Sequence, residues 1–148
     1  MASSPSEDRL RLGIGIVPEE AAGDHSLTPR LLELEEGDQV HIRGPYTYEL
    51  EPQEPGPEDV VYLSAGIGIT PLHSMFLQTV EEGLDSYQGE DRHIWFFQGA
   101  SWRDELPYHE EMERIAGENE NIHYVPASAG KNTSRTGRDR QITYRKSS

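Results

Sequence analysis

The chain contains no cysteine, and its six histidines are scattered through the 148 residues. The lack of cysteine excludes disulfides, zinc–thiolate sites and cysteine-ligated iron–sulfur clusters within this chain. No two histidines share a metal-ligand spacing such as H-x-x-x-H, so we expect no metal site. Any electron-transfer chemistry must therefore use an organic cofactor or a metal held by a partner.

Basic residues are scarce: there are 13 of them against 27 acidic residues, which gives a net charge of −14. Because nucleic acids and anionic membranes attract cations, this charge argues against both as partners. No apolar run is long enough to span a bilayer, and residues 1–5 lack the features of a signal peptide, so we expect a cytoplasmic protein. The acidic residues are spread along the chain, which favours a salt-adapted, halophilic protein over an ordinary acidic one.

Proline and glycine divide the chain at residues 52–57, which we interpret as a linker. Before the linker, residues 9–17 and 39–43 alternate apolar and non-apolar positions, which predicts two half-buried strands. Residues 28–34 predict a short helix that begins with a capping threonine and a proline. We expect the polar tail, residues 131–148, to be loose.

Beyond the linker, three apolar segments at residues 60–63, 93–100 and 122–125 alternate with helical patterns. Such alternation predicts βαβ units and a parallel sheet, whose strands we expect to be buried. Gly83 is placed to end the first helix of this region, and Asp104 is placed to cap the second.

A tight glycine turn, Gly66-Ile67-Gly68, follows the first of these strands. Thr70 and Pro71 come next, a residue pair that suits the cap and the first position of a helix. Backbone N–H groups converge at a helix N-terminus and glycine lets a phosphate approach the chain, so we expect a nucleotide pyrophosphate to bind here. Pro71 replaces the third glycine of the dinucleotide fingerprint G-x-G-x-x-G, and a turn that only packs helix against strand is the alternative.

The run from Ser64 to Pro71 resembles the nicotinamide-nucleotide loop of the ferredoxin–NADP reductase-like flavoenzymes, which include flavohemoglobin reductase domains. The resemblance extends over about residues 2–138. It implies that five loop residues position the pyrophosphate and the nicotinamide of NAD(P)H: Gly66, Ile67, Gly68, Thr70 and Pro71.

A second segment, residues 23–31, resembles a flavin-binding element of the same family. In that element a Gly-x-x-Ser turn opens a short helix whose N–H groups hold the flavin pyrophosphate. The resemblance implies that Ser26 and Thr28 hold the phosphate of FAD and that Arg30 adds charge-assisted contacts. A helix cap that binds no ligand is the alternative.

Two further residues belong to the nucleotide site by the same resemblance. Arg103, after the second strand of the nucleotide region, would reach a phosphate or a ribose, unless it is a surface arginine beside Asp104. Ser128 lies where the family reads the adenosine ribose, and Ala129 stands where many NADP-using relatives carry arginine, which favours NAD. We expect His73 to be solvated rather than in contact with a phosphate.

The resemblance implies a fold in two parts. Residues 1–54 would be the C-terminal part of a flavin-binding antiparallel β-barrel, and residues 58–148 a partial α/β nucleotide-binding domain with a parallel sheet. The implied activity is hydride transfer between NAD(P)H and FAD, with electrons passed to an unidentified protein or small molecule. No side chain is required as an acid, a base or a nucleophile.

The family's Arg-x-Tyr-Ser motif is absent before residue 2, and its Cys-Gly-Pro segment is absent at the other end. We therefore expect a chain that is truncated at both ends relative to the family. Two alternatives to an active enzyme remain open: a nucleotide-binding module without turnover, and a decayed gene product without activity.

Overall fold

The computed structural model of the protein describes residues 1–15, 27–43, 56–129 and 140–145. Within the described residues before residue 56 there is one strand and one short helix, and the region after it alternates strands and helices. In chain order the elements are β1 (Arg9–Ile14), α1 (Leu27–Leu32), β2 (Val60–Ala65), α2 (Ile69–Glu81), β3 (Ser86–Tyr87), β4 (Glu90–Asp91), β5 (Ile94–Ala100), α3 (His109–Glu118), β6 (Ile122–Ser128) and β7 (Arg140–Arg145). None of the helices in these ranges has the length and apolar character needed to cross a membrane.

A parallel sheet of three strands forms the centre of the molecule, in the order β2-β5-β6. Its register aligns Val60 with Ile94, and Ile94 with Ile122. Helix α2 and the short β3–β4 hairpin connect β2 to β5, and helix α3 connects β5 to β6. The predicted βαβ units and the predicted parallel sheet are therefore confirmed.

Both long helices pack on the same face of this sheet. Tyr62, Phe96 and Ile122 of the three strands are buried in one cluster with Phe76 of α2 and Met112 of α3. Right-handed crossovers that move in one direction along a sheet place their helices on one side, which explains this arrangement.

The opposite face of the sheet carries exposed apolar side chains. Val61 is 62% exposed and Leu63 is 76% exposed. Because successive strand residues point to opposite faces, β2 is buried on its helix face, where Tyr62 and Ser64 lie, and open on the other. The expectation that β2 is a buried strand is therefore wrong for this second face, because both helices lie on the first.

Three aromatic rings form the middle of the core. Tyr62 and Phe96 stack with their centroids 5.5 Å apart, and Phe76 meets them edge-on at 6.1 Å and 5.4 Å. The hydroxyl groups of Tyr62 and Thr79 lie 2.8 Å apart, so the buried phenol has a hydrogen-bond partner. These contacts fix α2 on β2 and β5, and with it the position of the turn that precedes α2.

The start of α2 differs from the prediction. Gly68 occupies the cap position, and Thr70 lies within the first turn, where its hydroxyl donates to the carbonyl of Ile67 at 2.9 Å. Thr70 therefore ties the glycine turn to the helix instead of accepting a hydrogen bond at the cap. Gly83 follows the last turn with a φ of +66°, which confirms the prediction that it ends the helix.

The predicted cap of α3 is wrong. Asp104 lies in a separate 3₁₀ turn, Arg103–Glu105, and α3 begins only at His109. Tyr108 precedes α3 with a φ of 61°, in the left-handed region, and its buried ring stacks on the ring of His73 at 4.2 Å. The change of chain direction at Tyr108 separates the turn from the helix, so Asp104 is too far away to cap it.

The region before residue 56 also differs from the strands and the helix that its sequence pattern predicted. Residues 39–43 alternate in sequence but form no strand, and Thr28 lies inside α1 rather than at its cap. Strand β1 instead pairs antiparallel with β7, so the tail that we expected to be loose contains a strand at Arg140–Arg145. The predicted linker, residues 52–57, lies mostly outside the described residues.

We predict that Phe76→Ala lowers the free energy of unfolding by about 3–5 kcal/mol, because it removes a ring that is fully buried between Tyr62 and Phe96. Leu63→Ala is the matched control on the open face of the sheet and should cost less than about 0.5 kcal/mol. Urea unfolding followed by circular dichroism measures both. Equal losses for the two variants would contradict a core that lies on one face of the sheet.

Candidate functional site

The carboxyl ends of β2, β5 and β6 meet at one edge of the parallel sheet, the edge where open α/β sheets bind their ligands. A cavity of about 520 Å³ lies there, which we call the glycine-loop cavity. Its lining combines the loops after these three strands with the residue after β1: Gly15, Gly66, Ile67, Ser101, Glu105 and Ala129 are among its residues.

Two glycines shape the loop between β2 and α2. Gly66 has a φ of +53°, a left-handed conformation that glycine adopts without the strain of a side chain. Gly68 has a φ of −61°, and a Cβ atom added to it would meet no atom within 4 Å. The space over the first turn of the 13-residue helix α2 is therefore open. Backbone N–H groups at a helix start bind anions where no carbonyl takes them, and here the N–H of Ile69 already donates to the carbonyls of Gly66 and Ile67.

One face of β1 runs along this site. Arg11, Gly13 and Gly15 alternate in the sequence, so they share a side of the extended chain. A Cβ atom on Gly13 would lie 2.2 Å from Cγ2 of Thr70 and 3.2 Å from Cδ1 of Ile67. The strand therefore approaches the glycine loop as closely as a residue without a side chain permits.

His73 in α2 is fully buried, with no exposed side-chain area, so the expectation of a solvated histidine is wrong. Its Nδ1 lies 2.8 Å from the carbonyl oxygen of Ala2, and its ring stacks on Tyr108. Its Nε2 lies 3.3 Å from Oε2 of Glu111 without forming a hydrogen bond, so the contact is an ion pair only when the ring is protonated. The N-terminal segment and the start of α3 cover the side chain together.

Arg11 and Glu111 form a half-buried ion pair beside His73. Arg11 donates to the carboxylates of Glu111 and Glu7, each at 2.7 Å. The neighbouring His73 ring has the largest effect on the pKa of Glu111 and lowers it, and Arg11 lowers it further. Together they outweigh the desolvation that would raise the pKa, which therefore falls from 4.5 to about 2. The cluster joins β1 to α2 and α3 across about 100 residues of sequence.

A second cavity of about 540 Å³ lies between β1, α2 and α3. Charged side chains dominate its lining, and several of them pair with one another: Arg11 with Glu7 and Glu111, and Arg114 with Glu118. It lies away from the carboxyl ends of the parallel strands. We therefore place the candidate site at the glycine-loop cavity, although the other cavity is slightly larger.

The loop residues that the sequence singled out lie together. Gly66 and Ile67 line the glycine-loop cavity, and Gly68 links them to α2. Thr70 is buried in the first helical turn, and Pro71 beside it is exposed. Their arrangement is that of a strand, a turn and a helix start facing one cavity.

The other two nucleotide-site candidates, Arg103 and Ser128, do not line this cavity. Arg103 is exposed and lines a separate cavity of about 400 Å³ with Asp104 and Tyr108, so the structure does not bring it to the glycine loop. Ser128 is exposed at the end of β6, next to Ala129, which does line the glycine-loop cavity.

The flavin candidates are only partly described. Thr28 and Arg30 lie on α1, a helix that buries none of its residues, and neither lines the glycine-loop cavity. Ser26 lies outside the described residues.

Sequence reasoning missed the residues that hold β1 against the loop. Gly13 and Gly15 inside a strand pattern are a signal of close backbone approach that was available in the sequence. Arg11, His73 and Glu111 gave no such signal, because their partners are far apart in the chain.

Comparison with known proteins gives one family match. Residues 62–146 match the model of a family described as the oxidoreductase NAD-binding domain. The match covers the parallel sheet from Tyr62 of β2 onward, the glycine loop and both long helices.

Individual relatives are similar over most of this chain. The chain is 34% identical over 64% of its length to the reductase component of phenol 2-monooxygenase from Pseudomonas sp. strain CF600, and 30% identical over 70% to the flavohemoprotein of Halalkalibacterium halodurans. It is 28% identical over 62% of its length to ferredoxin–NADP reductase B of Sorangium cellulosum. The aligned part spans 25%, 25% and 34% of these relatives, so the chain corresponds to about a quarter to a third of each.

We predict that the free energy of unfolding falls as the pH is lowered from about 4.5 towards 2. The folded-state pKa of Glu111 lies below its ordinary value, so its stabilising contribution is complete above pH 4.5 and is lost as the pH falls towards about 2. Glu111→Gln should remove on the order of 1–3 kcal/mol at pH 7 and flatten this acid limb. Glu110→Gln, an exposed carboxylate on the same helix, is the control. Urea titrations between pH 2.5 and about 7 measure the free energy of unfolding of each protein. If it fell with pH to the same extent in wild type and in Glu111→Gln, the role of Glu111 in the ion pair would be contradicted.

We predict that Gly13→Ala destabilises the protein by about 1–3 kcal/mol, the cost of an overpacked contact. The new methyl group would overlap Cγ2 of Thr70, a buried β-branched side chain that is already bonded to Ile67 and has little freedom to move. Gly15→Ala meets no atom within 4 Å and should be neutral. Thermal unfolding of the two variants tests the contact, which a neutral Gly13→Ala would disprove.

Proposed function

The chain belongs to the oxidoreductase NAD-binding domain family, and on this premise we propose that its glycine loop binds NAD(P)H as the hydride donor to a flavin. Its relatives include the phenol 2-monooxygenase reductase component, a flavohemoprotein and a ferredoxin–NADP reductase, and both expected cofactors, FAD and NAD(P)H, fit such a family.

The observation that carries the proposal is the open space over Gly68. A Cβ added there meets nothing within 4 Å, and the position lies between the end of a parallel strand and the start of a long helix. A pyrophosphate placed there would accept hydrogen bonds from free backbone N–H groups and would face the positive end of the helix dipole. The hydroxyl of Thr70 stabilises the loop by donating a hydrogen bond to the carbonyl of Ile67.

The nicotinamide would lie at the β1 side of the cavity, beside Ile67 and Gly15. Support for this orientation comes from the contact at Gly13, where the region before residue 56 approaches the glycine loop most closely. In the proposed fold this region is part of the flavin-binding barrel, residues 1–54, and residues 58–148 are the nucleotide-binding domain. Bound FAD would supply the hydride acceptor, and the chain would supply orientation and exclusion of water.

We place the flavin phosphate at the start of α1. Ser26 and Thr28 would donate hydrogen bonds to it, and Arg30, exposed on the same helix, would add a charge-assisted contact. Ser128 completes the proposed set on the adenosine side, whereas Arg103 lines the separate cavity with Asp104 and Tyr108 and lies outside this set. We propose that the reduced flavin passes its electrons to an acceptor protein or a small molecule in the cytoplasm. The net charge of −14 argues against nucleic acids and membranes as partners. The same charge is consistent with adaptation to high salt.

A nucleotide-binding module without turnover is the second candidate function. It is favoured by one observation: Gly66 and Ile67 line a cavity, whereas Thr28 and Arg30 lie on a helix without buried residues. The two candidates share the nucleotide site and differ in flavin binding. Flavin content after expression with excess FAD, measured by absorbance after gel filtration, separates them.

We predict that Gly68→Val weakens NAD(P)H binding about tenfold or more, equivalent to about 1.4 kcal/mol. The φ of −61° at Gly68 suits any residue and an added Cβ meets no atom within 4 Å, so the fold should be retained. The side chain would fill the space where a phosphate has to approach the backbone. Nucleotide fluorescence titration measures the affinity.

Gly117→Val is the matched control, since this glycine also has open space around it but lies near the end of α3. Circular dichroism of both variants verifies that they are folded. Unchanged affinity in folded Gly68→Val would remove the glycine loop from the proposed function.

A further inference from the structure

Two histidine rings lie side by side at the amino ends of the parallel strands, on the open face of the sheet. His93 directly precedes β5, and His123 is the second residue of β6. The strand register aligns Val61 with Trp95 and Trp95 with His123, so all three side chains point to the face on which Val61 is exposed. His93 lies on that face too, because it is two residues from Trp95 along the chain. The pair is therefore at the end of the sheet opposite to the glycine-loop cavity.

The two rings are close enough to hold one ion between them. Nδ1 of His93 and Nε2 of His123 lie 2.9 Å apart, and the ring planes differ by 19°. In a neutral pair one of these nitrogens carries a proton and the other a lone pair, so a metal ion would replace a single proton. Trp95 packs against His123 with the ring centroids 4.1 Å apart, which restricts how this imidazole turns. Sequence spacing could not reveal the pair, since 30 residues separate its members.

The distance between the two nitrogens indicates which ions fit. Imidazole nitrogen binds first-row divalent metals at about 2.0–2.1 Å. Two such nitrogens are about 2.9 Å apart at the angle of about 90° in a square-planar or tetragonal ion, and about 3.3 Å apart at the wider angle of a tetrahedral ion. The separation of 2.9 Å therefore suits Cu²⁺ or Ni²⁺ better than Zn²⁺. Of these ions Cu²⁺ forms the strongest complexes with nitrogen ligands.

We propose that His93 and His123 form a two-nitrogen site for a divalent transition metal ion, and that Cu²⁺ binds it most tightly. The net charge of −14 attracts cations to the protein surface. The described residues contain no group of three or more histidine, aspartate or glutamate side chains placed to hold a metal ion. The chain would thus supply two ligands, and water or a partner would supply the others.

This metal site is independent of the nucleotide site. Strand β5, which is 7 residues long, separates the histidine pair from the glycine-loop cavity by about 20 Å. None of the residues that line the cavity belongs to the pair. The inference therefore does not depend on the proposed function, and its failure would leave that function untouched.

The test is a titration of the purified 148-residue protein with Cu²⁺, followed by tryptophan fluorescence. A pH of about 7.5 keeps an ordinary imidazole neutral and able to bind a metal. Cu²⁺ quenches tryptophan emission at short range, and Trp95, one of the two tryptophans of the chain, packs against His123. Wild type is compared with His93→Gln, His123→Gln and His41→Gln. The last removes an exposed histidine elsewhere and is the matched control, and circular dichroism verifies that each variant is folded.

We expect saturable quenching of wild type by Cu²⁺. A second ligand held close to the first raises affinity by about 10²–10⁴-fold, so His93→Gln and His123→Gln should each weaken Cu²⁺ binding at least about tenfold. His41→Gln should bind as wild type does, and Zn²⁺ should displace Cu²⁺ only when it is in large excess.

Four results would overturn the inference. Wild type that shows no saturable quenching binds no Cu²⁺ at this pair, and unchanged affinity in both pair variants places the ion elsewhere. Weakening in only one of the two variants means a single histidine ligand instead of a pair. Displacement of Cu²⁺ by an equal concentration of Zn²⁺ contradicts the preference for a square-planar or tetragonal ion.

Discussion

The ion pair between Arg11 and Glu111 fixes how the N-terminal strand lies on the nucleotide-binding part, and the geometry of the cavity depends on it. Charges that leave water cost free energy unless they are paired, and here the carboxylate has Arg11 on one side and His73 on the other. Because β1 is extended, holding Arg11 against α3 places Gly13 against the glycine loop and Gly15 at the cavity. This half-buried pair, together with the pairing of β1 to β7, therefore sets the register of the strand against the site.

The proposed site works with backbone groups rather than with cationic side chains. An acidic protein of net charge −14 repels a dinucleotide at long range. The described lining of the cavity offers no basic residue to compensate. Attraction must then come at short range, from N–H groups at the start of α2 and from the helix dipole, both of which act within about one turn. Such a site would recognise the pyrophosphate by shape and by the direction of its N–H groups.

The sequence predicted the features that depend on neighbouring residues, and it failed where distant residues meet. Apolar runs and a glycine turn are local patterns, so the parallel sheet, the loop and the end of α2 at Gly83 were predictable. The burial of His73 was not, since it depends on Ala2 and Glu111 arriving from opposite ends of the chain. The open face at Leu63 was missed for a related reason: a strand's apolar pattern does not reveal on which side the helices pack.

The contact at Gly13 restricts how this protein can change over evolutionary time. Every residue other than glycine has a Cβ atom, so each base change in the codon that alters the amino acid creates the overlap with Thr70. Relief requires a second change, in which the β-branched side chain at position 70 becomes smaller. The N-terminal strand and the glycine loop are therefore constrained to vary as a pair, and an exchange of either one between relatives would succeed only when its counterpart is exchanged with it.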